Sequence, residues 1–192
     1  MKLSSDFFID ENVVDLAQQL LGKVLVTRID GKITSGIISE TEAYNGISDK
    51  ASHAYGGRKT ARTSTMYEKG GISYVYLCYG IHHLFNVVTG PKNNPQAILI
   101  RAIQPLEGKE EMMRRRKSKK LSTGGPGTLS QALGIGIQHN AISLCGPLIY
   151  IRDENIRVSP SSIAIGPRIG VDYAGEDALL PYRFLLTKDY TH

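Results

Sequence analysis

The sequence predicts an α+β fold, and three observations predict it. Strand-like runs come in pairs, tight-turn dipeptides (Asp30-Gly31, Tyr79-Gly80) fall between members of those pairs, and the helical runs stand apart from them. The sheet expected from this is antiparallel or mixed. Over 192 residues there is no internal repeat, low-complexity stretch or linker, so one domain spanning 1–192 is expected. The elements follow in order. Residues 11–21 (ENVVDLAQQLL) place Val13, Val14, Ala17, Leu20 and Leu21 at helical spacing, with Asp10 as N-cap and Gly22 as stop. KVLVTRI reads as a strand, and KITSGIISETEAY (32–44) returns after the turn. Residues 45–72 are polar, Gly-rich and without clear periodicity; a loop of that length inside a compact domain is usually functional. SYVYLCY (73–79), HLFNVV (83–88) and AILIRAI (97–103) are rich in β-branched and aromatic residues and read as strands. Residues 106–119 read as a helix, and 124–135 as a tight turn opening a short helix with Pro126 at its start. Three short strands are expected near 147–152, 163–171 and 182–187.

Composition bounds the class. Hydrophobic residues make up 41% and charged residues 21%, as in globular proteins. No apolar run reaches the roughly 18–20 residues of a membrane span, and the N-terminus lacks the apolar core of a signal peptide. Cys78 and Cys145 are too few and too far apart for a disulfide framework or a cysteine zinc site. Free thiols and a cytoplasmic location are the expectation. The formal net charge is +5, and the segment 109–120 (KEEMMRRRKSKK) carries all of it, leaving equal numbers of acids and bases elsewhere. Such a segment suits a polyanion, with Arg114, Arg115 and Arg116 as the contacts. A solvated helix face has the same composition.

Several clusters are able to carry chemistry. In Glu40-Thr41-Glu42-Ala43-Tyr44, strand alternation puts Glu40, Glu42 and Tyr44 on one face with neighbours about 6.6 Å apart. A carboxylate beside an aromatic ring suits a base pocket; an exposed strand end with solvated acids has the same pattern. Tyr74, Tyr76 and Tyr79 offer flat stacking surfaces in a chain without tryptophan, although tyrosine is also common in ordinary sheets. Cys78, His82 and His83 lack the further ligands a metal needs. The loop HAYGGRKTAR (53–62) interleaves His53 and Tyr55 with Arg58, Lys59 and Arg62, as a nucleic-acid contact or a mobile surface loop would. Gly124-Gly125-Pro126-Gly127 lacks the Gly-Lys-Ser/Thr of a triphosphate site but offers backbone N–H groups at a helix start.

Taken together, LAQQLLGKVLV, ISETEAY, ASHAYGGRKTARTSTMY, ISYVYLCYGIHHLFNVV, AILIRAIQPLEG, GPGTLSQALGI and GPRIGV resemble the alkyladenine (3-methyladenine) DNA glycosylases, in the family's order and over nearly the whole chain. The resemblance implies one α+β domain with a curved antiparallel sheet, flanking helices and a protruding β-hairpin that enters the DNA minor groove. It implies base-excision repair: hydrolysis of the N-glycosidic bond of alkylated purines in double-stranded DNA by base flipping, without metal or other cofactor. Glu42 then matches the general base, and Arg101 an arginine near the water and phosphate. Tyr44, His53 and Tyr76 match the residues around the extruded base. Asn86 matches the asparagine under the purine 2-position, and Ile169 falls where the family has a main-chain group near the water. Tyr79 matches the intercalating wedge. Arg58, Arg62, Gly127 and Thr128 are the expected backbone contacts. The family often has lysine where this chain has Thr128. A monomer without membrane attachment is expected, leaving an abasic site without strand cleavage.

Two other classes share these features. A non-catalytic binder of damaged DNA or RNA uses the same basic segment and tyrosines; Glu42 argues against it, because a carboxylate in an anion-binding pocket is costly without a task. A small-molecule glycoside hydrolase usually needs two paired carboxylates.

Overall fold

The turn chemistry sets the first hairpin. Asp30 and Gly31 both adopt left-handed backbone (φ 54° and 68°) and close a two-residue connection between β1 (Val24–Ile29) and β2 (Lys32–Tyr44). A computed structural model describes residues 1–187; residues 188–192 of the expected 1–192 unit lie outside the described residues.

β2 is the spine of the sheet, buried from Thr34 to Ala43. One edge pairs along its length with β5 (Gln96–Glu107). Its other edge pairs first with β1 and then, at Glu40–Glu42, with β8 (Arg183–Leu186). β3 (Ser73–Cys78) and β4 (His82–Thr89) extend the sheet beyond β5, β6 (Ile149–Arg152) borders β1, and β7 (Ile163–Gly166) borders β8. Among the described residues every strand pairing is antiparallel, which decides between the antiparallel and mixed sheets expected. The β2–β5 ladder is irregular at three points: Leu106 is an extra residue on β5 between the pairs Ser35↔Glu107 and Gly36↔Pro105, and two further irregularities lie side by side. Ser39 is an extra residue on β2 between the pairs Ile38↔Ile103 and Glu40↔Ala102, and Arg101 is an extra residue on β5 before Thr41↔Ile100. Bulges of this kind re-aim side chains.

One face of the sheet is the main core. Val75, Phe85, Val87, Ile98, Ile100 and Ala43 pack there with residues of α1 (Val13–Gln19), Met112 of α2 (Lys109–Arg116), and Leu129 and Leu133 of α3 (Pro126–Leu133). A buried leucine or phenylalanine contributes about 1.5–3 kcal/mol by leaving water, so this face holds the fold and frees the opposite face for a site. No helix of the described residues is long and apolar enough to cross a membrane.

Several boundaries differ from expectation. The N-cap of α1 is Asn12, whose side chain accepts from the Asp15 N–H; Asp10 instead caps the Asn12 N–H at 2.9 Å. The helix expected over 106–119 starts only at Lys109, because β5 continues to Glu107 and Gly108 makes the corner. There φ is +72°, and a Cβ would lie 2.3 Å from the Ile33 carbonyl. The strand expected over 163–171 stops at Gly166, and the following residues turn toward β2. The 45–72 segment contains two short 3₁₀ turns, Tyr55–Gly57 and Ser64–Tyr67, and buries Ala51, Ala54 and Met66.

Candidate active site

The second sheet face carries the site, and strand register assembles it. Tyr74 on β3 pairs with Asn86 on β4, Asn86 with Leu99 on β5, Leu99 with Glu42 on β2, and Glu42 with Arg183 on β8. Partners across a ladder share a face, so these residues form one row. Two-residue alternation adds Tyr76, Leu84, Ala97 and Tyr44 beside it. Above this floor lies a cavity of about 520 Å³. Its walls come from His53 and Met66 of the long loop, from Ile169–Val171 and Tyr173, and from the first turn of α3.

Glu42 has no solvent exposure. Its Oε1 accepts from the Ile169 N–H at 2.8 Å and lies 3.4 Å from Arg101 Nη1, while its Oε2 accepts from the Tyr44 hydroxyl at 2.8 Å. Burial pushes the carboxyl above its ordinary value, against the lowering effects of Arg101, the Ile169 N–H and the Tyr44 hydroxyl. Arg101 is itself held by Glu40, whose Oε1 accepts from Arg101 Nε at 3.0 Å and also from Arg183 Nε. The bulge at Arg101 thus places one guanidinium between two acids of β2.

The aromatic wall is a linked cluster. His53 meets Tyr76 edge-on with ring centroids 4.8 Å apart, and its Nδ1 is 2.9 Å from the Tyr74 hydroxyl. Burial, with Arg62 and Arg58 nearby, lowers the His53 pKa to about 4, so the ring is neutral at pH 7 and offers a flat uncharged edge. Burial also raises Tyr44 and Tyr76, which remain protonated. Asn86 is 3% exposed and donates through Nδ2 to the carbonyls of Tyr74 (3.1 Å) and Leu84 (3.4 Å), which fixes its amide against the floor.

The remaining sequence candidates are spread around this centre. Tyr79 is 89% exposed at the turn between β3 and β4, with φ +50°, beside Gly80 at +72° and Ile81, also exposed. Arg62 folds onto the cluster, 4.6 Å above the Tyr76 ring, while Arg58 is exposed on the same loop. Gly127 packs flat against His82, where a Cβ would lie 2.7 Å from the imidazole. The Thr128 hydroxyl is engaged with the N–H and carbonyl of Gly125 (3.1 and 2.8 Å), closing the first turn of α3.

The basic segment is divided. Arg114 pairs with Glu111 at the surface. Arg115 turns inward: Nη2 reaches the Ile29 carbonyl at 3.1 Å and Nη1 the Thr34 hydroxyl at 3.2 Å, beside the end of α3 farthest from the cavity. Arg116 is half-buried. Lys117–Lys120 then lead back toward Thr123, which is bonded to Ile103, and the Gly124-Gly125 rim.

The model of the methylpurine-DNA glycosylase family matches residues 7–190. The chain belongs to the methylpurine-DNA glycosylase family. That membership places it among DNA glycosylases, the enzymes of DNA-damage repair. Relatives provisionally named as 3-methyladenine DNA glycosylases agree along their length. One from Chlamydia felis is 53% identical over 188 residues, covering 96% of this chain and 95% of the relative. One from Chlamydia pneumoniae is 52% identical over 191 residues (97% and 96%), and one from Desulfitobacterium hafniense is 45% identical over 195 residues (96% and 95%).

Some residues around the cavity stand out only in three dimensions. Met66, Leu99 and Tyr173 line it. Asp49 and Arg168 lie buried behind Tyr44. An arginine in the run Gly166-Pro167-Arg168-Ile169-Gly170 was a signal, since neighbours of that kind leave a charge little local company.

Proposed function

We propose that this glycosylase hydrolyses the C1′–N bond of damaged purines in double-stranded DNA, the alkylated bases 3-methyladenine and 7-methylguanine among them, with hypoxanthine and ethenoadenine in the same substrate class. The observation that carries this reading is Glu42, buried directly behind the cavity wall, where its carboxylate is held by the lining groups Tyr44, Arg101 and the Ile169 N–H.

A base inside a duplex is shielded, so the nucleotide must be extruded at a cost of a few kcal/mol. Tyr79, exposed at its hairpin tip, is the wedge that fills the gap. The extruded purine stacks among Tyr44, Tyr76 and His53 over Asn86. Electron-rich tyrosine faces favour a cationic N3- or N7-alkylated ring by about 0.5–2 kcal/mol per good contact. That ring also departs as a neutral base. As the C1′–N bond breaks, positive charge grows on the sugar, and ionised Glu42 stabilises it. Glu42 then takes a proton from the water whose oxygen bonds to C1′. Arg101 supports the ionised state of Glu42 and faces the phosphate side. The products are a free base and an abasic site in an unbroken strand.

Around the mouth, Arg58, Arg62, the Gly127–Thr128 turn and the basic segment guide the phosphodiester backbone. One copy carries the whole cavity, so a monomer suffices. The test is a methylated duplex incubated with the protein, with released bases and abasic sites quantified before any alkali treatment. Release of 3-methyladenine supports the proposal. Binding of the same duplex without release overturns it in favour of a damage-binding protein.

A further inference from the structure

The Arg168 side chain has no solvent exposure and its partner Asp49 has 1%. Arg168 Nη2 donates to Asp49 Oδ1 at 2.9 Å and Nη1 to Oδ2, a bidentate pair. The same guanidinium donates to the carbonyls of Ala43 (2.9 Å) and Asp177 (3.1 Å) and lies 4.9 Å from the Tyr44 ring and 5.3 Å from the Tyr182 ring. Asp49 also accepts from the N–H groups of Asn45 (2.9 Å) and Ala51 (3.0 Å). Neither residue is part of the cavity wall. Yet the pair joins three segments that each supply a wall group: the end of β2 with Glu42 and Tyr44, the loop with His53, and the segment with Ile169.

A buried ion pair is poor evidence for stability, because desolvating both charges offsets most of their attraction. Apolar residues of similar volume would hold these segments together about as well. They would not pin the Ala43 carbonyl, fix the Ile169 N–H by gripping the preceding residue, or press a planar cation against the buried side of Tyr44.

We infer that the Asp49–Arg168 pair is a positioning device for the reaction: it sets the Ile169 N–H and the Tyr44 hydroxyl, the two donors that hold the Glu42 carboxylate. Arg168 acts through these groups and touches no reacting atom. This inference rests on the proposed function, in which Glu42 is the base.

The test uses Arg168→Lys and the apolar double variant Asp49→Leu/Arg168→Met in the full chain. Base release from methylated duplex is followed under saturating enzyme across pH, with duplex affinity and thermal unfolding measured in parallel. Displacing catalytic donors by about 1 Å costs on the order of 10²-fold in rate, and that loss is expected in folded variants whose DNA affinity is unchanged. The acid limb of the pH–rate profile should also move to higher pH. Of the groups facing Glu42, Arg101 and Glu40 stay in place while the Ile169 N–H and Tyr44 hydroxyl loosen. A folded variant with wild-type rate and acid limb overturns the inference. So does a rate loss that tracks the folded fraction with the limb unmoved, and so does failure of both variants to fold, which would make the pair a folding element. Wild type run alongside separates the two readings. If wild type releases no base, the proposed function fails; if it does and the folded variants match it, only the positioning role fails.

Discussion

Replacing Glu42 by glutamine is the most informative perturbation, because the structure gives both a rate and a stability outcome. The shapes are nearly identical. The glutamine carbonyl still accepts from the Ile169 N–H, its amide reaches the Tyr44 oxygen, and Arg101 keeps Glu40. The variant therefore folds and binds the lesion, but has no base for the water. A positioned acid–base group contributes about 10²–10⁴-fold, which is about 3–5 kcal/mol of barrier. Stability should move the opposite way. Burial raises the Glu42 carboxyl above 4.5, so its contribution to folding is complete below that pH and is lost as pH rises through the folded value. Above that range the buried acid carries a cost that the amide does not, so Glu42→Gln should melt at or above wild type at pH 7, and the difference should close below 4.5. The assay is single-turnover release of 3-methyladenine from methylated duplex, with melting curves at both pH values. Equal rates for the two proteins would remove Glu42 from its role. A variant that melts well below wild type at pH 7, with its rate falling in step, would refute the electrostatic argument.

Four further substitutions have expected outcomes. Asn86→Ser removes an amide pinned to the floor and should raise excision of unmodified guanine relative to 3-methyladenine; an unchanged ratio, read by chromatography of released bases, rejects Asn86 as the group that crowds the guanine 2-amino group. Tyr79→Gly should stabilise the protein by about 1 kcal/mol, since left-handed backbone costs a side-chain residue about 1–2 kcal/mol. It should also weaken retention of lesion duplex, and thermal melts and binding isotherms check the two effects separately. Arg114→Gln should lower the slope of log affinity against log salt by about 0.9 if Arg114 meets a phosphate, whereas Arg115→Ala should cost about 3 kcal/mol of stability through its lost carbonyl contacts. Salt titrations and denaturant unfolding distinguish the surface role from the structural one.

Much of the fold was legible because it depends on local chemistry. The alternation in SYVYLCY and ETEAY already put Tyr74 with Tyr76, and Glu42 with Tyr44, on shared faces, and the Asp30-Gly31 hairpin closes where its residues demand. What the pattern could not give was the order of strands. The row Tyr74–Asn86–Leu99–Glu42 depends on pairings between residues far apart in sequence. Burial was hidden for the same reason: acids at a strand end read as solvated until β5 and β8 flank them. The basic run misled in the opposite direction. Its composition marks charge, but Arg115 is drawn inward by carbonyls of β1 and α3 that no local signal reveals. Helix ends erred where a neighbour overrode propensity, as at Gly108, whose corner is dictated by the Ile33 carbonyl.

The two neighbouring irregularities of the β2–β5 ladder, at Ser39 and Arg101, act as a shift and its reversal. The extra residue at Ser39 advances one strand by a step, and the extra residue at Arg101 advances the other, so the register before and after is the same. The facing, however, is turned over: Ile38 and Ile103 pack in the helix-covered core, and so do Ala43, Ile100 and Ile98, which unbroken alternation from Ile38 and Ile103 would put on the opposite face. Glu42 thereby stands on the cavity side, whereas unbroken alternation from Ile38 would have carried its side chain to the helix-packed face. The side of the sheet on which the carboxylate stands is thus encoded by two single residues, on stretches of chain far apart in sequence.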